Sequence, residues 1–376
     1  MLKNSSAIYV TDKFNFVNVC LLCKIEMRQP ITKTMFYGKG IRILFSITVI
    51  LFAVKDSVCQ SRSQAERNLK DIPFKIVHET YRKTNGKDNW ELFLINADGS
   101  NPVNLTNTPD VDEMYPHVSP DGGKICFAAD ELAEKNKVRN VYYMNIDGTG
   151  RIKIADNARQ PCWSPDSKNI AYLKGEFERY TTTDYASRGL FIYDLKTGTH
   201  KQHPNKTLLH LYNVSWIPYG DLFIATVHGA MGYKHTNLAV ESRGTKVFDL
   251  KLPGCRPDVS PDGSKIVWCP DEKVLWIGEL DLTGPDPQVK NRRILFAASG
   301  PEIYQQHADW SPDGKFIAFS RGPKKGGEGK YPVAPGNPAK GWDICVGDMT
   351  GKWVQITNDG SHNKEPDWVA IATLNR

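Results

Sequence analysis

No Gly-x-Ser-x-Gly elbow occurs in the 376-residue chain, so the strand-to-helix turn that presents a hydrolase serine is missing. Long hydrophobic runs are scarce as well. The run Ile43-Leu44-Phe45-Ser46-Ile47-Thr48-Val49-Ile50-Leu51-Phe52-Ala53-Val54 is 12 residues, short of the roughly 20 that cross a bilayer. Gly326-Gly327-Glu328-Gly329-Lys330 lacks the first glycine at Walker spacing and a following Ser or Thr, so it is no phosphate loop and reads as a mobile loop. The Cys20-x-x-Cys23 pair has no second pair downstream to complete a zinc site. No basic stripe interleaved with aromatics is present, which argues against nucleic acid as a partner. The formal net charge of +6 does not alter this. Residues 1–59 hold 8 Lys/Arg and 3 Asp/Glu, leaving 40 against 39 in the remainder.

What the chain does contain is one phrase written repeatedly. It reads Val118-Ser119-Pro120-Asp121-Gly122, Trp163-Ser164-Pro165-Asp166-Ser167, a degraded Trp216-Ile217-Pro218-Tyr219-Gly220, Val259-Ser260-Pro261-Asp262-Gly263 and Trp310-Ser311-Pro312-Asp313-Gly314. A half-copy, Pro366-Asp367-Trp368-Val369, comes last. The intervals are 45, 53, 43, 51 and 58 residues, the period of a β-propeller with one four-stranded blade per repeat. Pro sets φ for the first central position of a type I turn, Asp favours the next, and Gly takes the left-handed φ that closes the hairpin.

Apolar triplets after each turn predict a second strand, as in Ile125-Cys126-Phe127 and Ile266-Val267-Trp268. A third strand follows, as in Val141-Tyr142-Tyr143-Met144, and a short fourth, as in Val103-Asn104-Leu105-Thr106. The first strand, Phe74-Lys75-Ile76-Val77, is of the second kind, whereas Glu365-Pro366-Asp367-Trp368-Val369 is an inner strand with no successor. The expected fold is therefore an all-β, six-bladed β-propeller of four-stranded antiparallel blades. Its ring is closed when the C-terminal strand joins the first blade, which removes exposed edges.

These phrases resemble the WD40-like (PD40) propeller repeat of the TolB C-terminal domain and of prolyl-oligopeptidase relatives, over about residues 73–370. The resemblance implies fold strongly and function weakly. TolB has an α/β domain ahead of its propeller, and about a dozen residues are available for one here. Propeller peptidases carry an α/β-hydrolase domain, for which no elbow and no length remain.

Residues 1–59 are expected to be a leader: Lys39 and Arg42 precede the apolar run, and Ser57-Val58-Cys59 offers small residues at −3 and −1 of a cleavage site. Met35 is a possible true start, giving a short basic n-region. An uncleaved anchor helix is the alternative; a lipidated Cys59 suits Asp56 and Val58 poorly. Residues 60–72 would be a short linker and 73–376 the propeller, a monomer that is periplasmic or secreted, with no transmembrane span in the mature chain. Five of the eight cysteines remain after processing. If residues 260–264 form the turn, Cys255 and Cys269 face each other across a hairpin, a disulfide candidate; two buried free thiols are the alternative.

Aligning the repeats puts Tyr115, Gln160, Asn213, Arg256, His307 and Glu365 at one equivalent position, the start of the inner strand at the channel mouth. Six different polar or amphipathic residues in an otherwise uniform repeat suggest recognition. Solvent-exposed loop ends are the alternative. Deeper in the channel the series is His117, Cys162, Ser215, Asp258, Asp309 and Asp367, with the aspartates expected to fix strand ends. Long insertions at residues 175–189 (with Phe177, Tyr180 and Tyr185), 228–235 and 322–341 open on the same face. The expected function is an exported, non-catalytic module of the cell envelope that needs no cofactor. It would bind an envelope protein or polysaccharide through this face. The alternative is a metal-dependent carbohydrate-active enzyme resembling oligogalacturonate lyase, holding Mn or Ca. For it the rim histidines His228, His235, His307 and His362 are candidate ligands, although their spacing is not diagnostic.

Overall fold

The computed structural model describes residues 69–133, 136–175, 187–325, 332 and 337–370. Residues 1–68, most of the 175–189 insertion and residues 326–331 fall outside the described part. The expected leader, Phe177, Tyr180, Tyr185 and the Gly-Gly-Glu-Gly-Lys segment lie there.

Each Ser-Pro-Asp-Gly phrase folds as its chemistry dictates. The Gly122 N–H donates to the Ser119 carbonyl at 2.7 Å and the Ser119 N–H to the Lys124 carbonyl at 2.8 Å. The Ser119 hydroxyl donates to Asp121 Oδ1 and accepts from the Lys124 N–H, cross-bracing the turn from inside. Ser164, Ser260 and Ser311 repeat the arrangement. In the degraded copy Gly220 still closes the turn, its N–H bonding the Ile217 carbonyl at 2.9 Å.

The strands around these turns build six four-stranded antiparallel sheets. Blade two runs outward from the axis as β4 (Asp112–Val118), β5 (Lys124–Ala133), β6 (Asn136–Asn145) and β7 (Ile152–Ala155). Blade three is β8 (Ala158–Trp163), β9 (Asn169–Gly175), β10 (Ser187–Asp194) and β11 (His200–Gln202). Blade four is β12 (Leu211–Trp216), β13 (Leu222–Val227), β14 (Thr236–Glu241) and β15 (Val247–Pro253). Blade five is β16 (Cys255–Val259), β17 (Lys265–Cys269), β18 (Val274–Asp281) and β19 (Gln288–Ala297). Blade six is β20 (Ile303–Trp310), β21 (Phe316–Pro323), β22 (Asp343–Asp348) and β23 (Trp353–Gln355). Blade one combines β1 (Phe74–Thr84), β2 (Lys87–Asn96) and β3 (Val103–Asn104) with β24 (His362–Ala370) as its inner strand. Ile76 pairs with Trp368 and Tyr81 with His362, so the expected closure is the one observed.

The core lies between blades. Val77, Leu92, Val118, Phe127 and Val369 pack at the junction of blades one and two, and Ile76, Ile95, Trp368, Ala318 and Val346 at that of six and one. The closing junction is thus as apolar as an internal one, and burial of this kind stabilises by roughly 25 cal/mol per Å² of apolar surface. Leu69, which the sequence assigns to a linker, is buried in that same closing cluster.

Cys255 and Cys269 are partners in the β16–β17 register, as expected, but both are free thiols. Cys269 Sγ instead donates to the Gln305 carbonyl at 3.4 Å, pointing into blade six. The register also differs from a simple hairpin. Val259 faces Ile266 and Asp258 faces Val267, one residue out of step with Cys255–Cys269. A bulge at Arg256 and Pro257 restores the step.

Candidate functional site

The bulge in β16 belongs to a set that creates the site. Register shifts interrupt the inner strands β4, β8, β12, β16 and β20, and the β1–β24 pairing, at equivalent places. At each one a residue takes a left-handed backbone: Tyr115 (φ 57°), Gln160 (48°), Asn213 (51°), Arg256 (57°), His307 (57°) and Glu365 (50°). This conformation costs an L-residue roughly 1–2 kcal/mol, and non-glycine residues keep it where the surroundings over-determine it. Here the surroundings supply hydrogen bonds. The Tyr115 N–H donates to Glu79 Oε2 (2.9 Å), the Arg256 N–H to Thr226 Oγ1 (3.3 Å) and the Glu365 N–H to Ser320 Oγ (3.0 Å), each acceptor standing on the preceding blade. The Asn213 N–H donates to Gln160 Oε1 at 2.9 Å.

The six aligned residues are therefore not the solvent-exposed loop ends that were the alternative. Gln160, Asn213, His307 and Glu365 are each under 8% exposed, and Tyr115 and Arg256 are partly buried. Five of them line one cavity of about 80 Å³ on the propeller axis, together with His117, Ser215, Asp258, Asp309 and Asp367. Gln160 is held aside by its bond to Asn213.

One part of the ring is an ionic group. Arg256 Nη1 lies 2.7 Å from Glu365 Oε1 and donates to Glu365 Oε2 at 2.8 Å. His307 Nε2 approaches Glu365 Oε1 at 3.2 Å, while its Nδ1 meets Ser320 Oγ at 3.0 Å. The Arg256 guanidinium also stands 5.9 Å from the centre of the Tyr115 ring, and the Tyr115 hydroxyl accepts from Asn213 Nδ2. Burial raises the Glu365 carboxyl to about 7, against the opposing pull of Arg256. The group can therefore hold or release a proton near neutral pH.

Below it, the aspartates bind neighbouring blades, as the sequence leads one to expect. Asp258 Oδ2 accepts from the Trp310 N–H (3.2 Å), Asp309 Oδ2 from Trp368 (2.9 Å) and Asp367 Oδ1 from Val118 (3.1 Å). Burial pushes Asp258 up to about 6, and lifts Asp309 and Asp367 well above the carboxylate range. For Asp309, the charges of Asp367 and Asp258 add to the rise.

The histidine candidates do not converge. His228 and His235 pack edge to face at 4.8 Å between ring centres, and His235 Nε2 meets the Tyr212 hydroxyl. His362 stacks on Tyr81 at 5.3 Å and its Nδ1 accepts the Ala339 N–H. His307 belongs to the Glu365 group. Among the described residues, no group of three or more His, Cys, Asp or Glu is arranged to hold a metal ion.

The sequence does not reveal Lys364. Its side chain is fully buried over the Trp90 ring at 4.6 Å, 3.4 Å from Glu79 Oε1, and donates to the carbonyls of Pro332 and Asn337. It ties part of the 322–341 insertion to blade one beside the channel mouth. Glu79, Thr226 and Ser320 are also missed. The available signal is a polar residue inside an apolar second strand, as where Ser320 follows Phe316-Ile317-Ala318-Phe319.

No family model matches the chain, and no curated protein sequence matches it. Solved structures match its fold. A hydrazine synthase chain from Kuenenia stuttgartiensis is 13% identical over 79% of this chain, with a TM-score of 0.56. The match spans 46% of that chain, less than half its length. A chain of a nidogen/laminin complex is 8% identical over 78% of this chain and 98% of its own, with a TM-score of 0.52. An oligogalacturonate lyase in complex with manganese is 14% identical over 72% of this chain and 71% of its own, with a TM-score of 0.43. At such identities the likeness is one of fold.

Proposed function

We propose that this chain is an exported, non-catalytic propeller of the TolB-like, WD40-like (PD40) type that binds a protein or glycan of the cell envelope through its channel mouth. One observation carries this. Six inner strands spend the cost of a left-handed bulge at the same position, and each uses it to place a different polar side chain around the axis. A purely structural bulge would be served equally well by one repeated residue, as the turns are served by Ser-Pro-Asp. Arg and Tyr in such a ring offer large contact area with directed hydrogen bonds. The basic residues ahead of the apolar run support an exported reading, in which the mature protein is a monomer that begins near Gln60 and stands in the periplasm or outside the cell. N-terminal sequencing of protein recovered from the envelope or medium checks this, and an intact residue 1–59 segment on a cytoplasmic species overturns it.

The mouth itself is tested by removing its ion pair as a unit. Changing Arg256→Gln together with Glu365→Gln leaves neither partner charged and alone, so the fold is expected to survive. A glycan array and an envelope-extract pull-down with wild type should yield a ligand whose binding falls at least about tenfold in the double variant. Unchanged binding, with loss instead on changing the Asp-Gly turns of the opposite face, assigns recognition to the wrong side.

A further inference from the structure

The most degraded of the repeated phrases borders a cavity away from the channel. In Trp216-Ile217-Pro218-Tyr219-Gly220 the bracing serine and aspartate are replaced by Ile217 and Tyr219. Trp216 departs with them. Its counterparts Trp163 and Trp310 are 2% and 5% exposed, and Trp163 Nε1 reaches the His117 carbonyl of the preceding blade at 2.9 Å. Trp216 is only half-buried, and its Nε1 turns back to the Gly220 carbonyl at 3.0 Å. It lines a cavity of about 460 Å³ between blades three and four, on the face of the Ser-Pro-Asp-Gly turns. Ligand sites run from roughly 300 to 1,000 Å³, so the space is large enough to hold one. Charge is a second and independent observation. Lys201 on β11 and Arg243, just after β14, bring one cation from each blade. Neither side chain has a hydrogen bond or ion pair with another described residue. Asp166, the one carboxylate among the described lining residues, is taken up by its own turn: its Oδ1 accepts from the Ser164 hydroxyl at 2.7 Å and the Lys168 N–H at 3.2 Å. Tyr219 stands where the next turn's aspartate would have been.

We propose that this cavity docks an extended acidic segment of a partner protein, with carboxylates on Lys201 and Arg243 and an intervening apolar side chain against Trp216. The site is additional to the channel mouth. Two unpaired cations on facing walls suit a ligand that carries more than one negative charge and spans the gap between them. Between the cations the walls offer little to a sugar. Pro165, Pro204 and Pro218 have no N–H, and the Trp216 Nε1–H is already given to Gly220, so few donors remain for a row of hydroxyls. What they do offer is a flat indole beside proline rings, the kind of surface on which extended peptides lie. Gln202 and Asn169 add side-chain amides, each able to donate to and accept from one peptide group. Trp and Arg are also the side chains that most often anchor a protein partner. The decay of the fourth phrase thereby acquires a reason. Replacing its aspartate withholds a negative charge from the cavity's edge, and its altered turn brings into the lining an indole that the intact phrases bury.

The test is a hexapeptide array in which two glutamates bracket every pair of residues, probed with the full chain, followed by titration of its best member. Parallel arrays carry glutamine or lysine in place of glutamate. The best acidic peptide should bind at least about tenfold more tightly than its glutamine and lysine counterparts. Lys201→Glu with Arg243→Glu changes two exposed side chains, so the thermal transition should be retained. Affinity for the acidic peptide should fall at least about tenfold in that variant, and the lysine array should gain binding. If it fails to fold, Lys201→Gln with Arg243→Gln should give the loss without the reversal. Equal binding of the glutamine peptides overturns the charge argument, and unchanged affinity in the variants overturns the site. Tighter binding of a glucuronic acid tetramer than of the best peptide overturns the choice of a peptide, and an array that binds nowhere overturns the inference whole. No described residue lines both this cavity and the channel, so each of these outcomes leaves the channel mouth to its own test.

Discussion

Glu113 shows at the scale of one residue how burial writes a pH dependence. It stands on β4 and accepts from the Thr108 hydroxyl and Arg151, while its buried Oε2 has no hydrogen-bond partner among the described residues. Burial raises its carboxyl from 4.5 to about 7 despite Arg151. An acid raised in the folded state binds more protons there than in the unfolded chain, so its contribution is greatest below about 4.5 and declines as pH rises to about 7. His78 and His117, held neutral with values near 4, act oppositely: their contribution grows from about pH 4 to 6.5. The two trends oppose each other in the wild type, so the difference between variants is the clean measurement. Glu113→Gln is neutral throughout and keeps an acceptor for Thr108 and Arg151. Its stability relative to wild type should improve from pH 4.5 to 7 by on the order of 3 kcal/mol at most. Urea unfolding at the two pH values checks this, and a flat difference means that Glu113 stays ionised in the fold.

The Ser-Pro-Asp-Gly turn is the element whose structure was most fully legible, because each of its residues has its own local reason to be there. Gly122 adds a reason that local chemistry does not contain. At φ 72°, a Cβ on it would lie 2.0 Å from the Ala370 carbonyl oxygen, so the turn of blade two seats against the end of blade one's inner strand. Gly220, at φ 78°, has nothing among the described residues within 4 Å of the same imagined atom. Gly220→Ala should therefore cost about 1 kcal/mol, from backbone strain alone. Gly122→Ala should cost at least about 2 kcal/mol more, because backbone must move. Equal losses in thermal unfolding would show that the seat yields freely. The inner-strand bulges were not legible. Turn chemistry predicts a regular register, and the shift at Arg256 depends on a cap, Thr226, that stands 30 residues away on another blade.

At the scale of the whole molecule, spacing alone disclosed the number of blades and the ring's closure, since a period survives even where a copy has decayed. Which six residues surround the axis followed from alignment. Their burial and their bonds to one another did not, because these depend on six strands converging on a line that no single repeat contains. The closure carries its own test. β24 supplies Trp368 and Val369 to two inter-blade clusters, and Asp367 and Glu365 to the channel. Ending the chain after Ser361 removes that strand and exposes the inner edge of β1. The truncated protein should lose its cooperative thermal transition and associate through the open edge, as sedimentation would show. A monomer with an unchanged transition rules out the role given to this closure.

The same joint sets an order in time. β1 and β24 are separated by roughly three quarters of the chain. During synthesis β1 is made long before its partner β24 emerges. Until then blade one lacks its inner strand, the axial ring lacks Glu365, and blade six has no neighbour on its far side. A contact of such long sequence separation forms slowly, since most of the chain's freedom must be surrendered before it is rewarded. A nascent chain of this design keeps an open ring until β24 has left the ribosome.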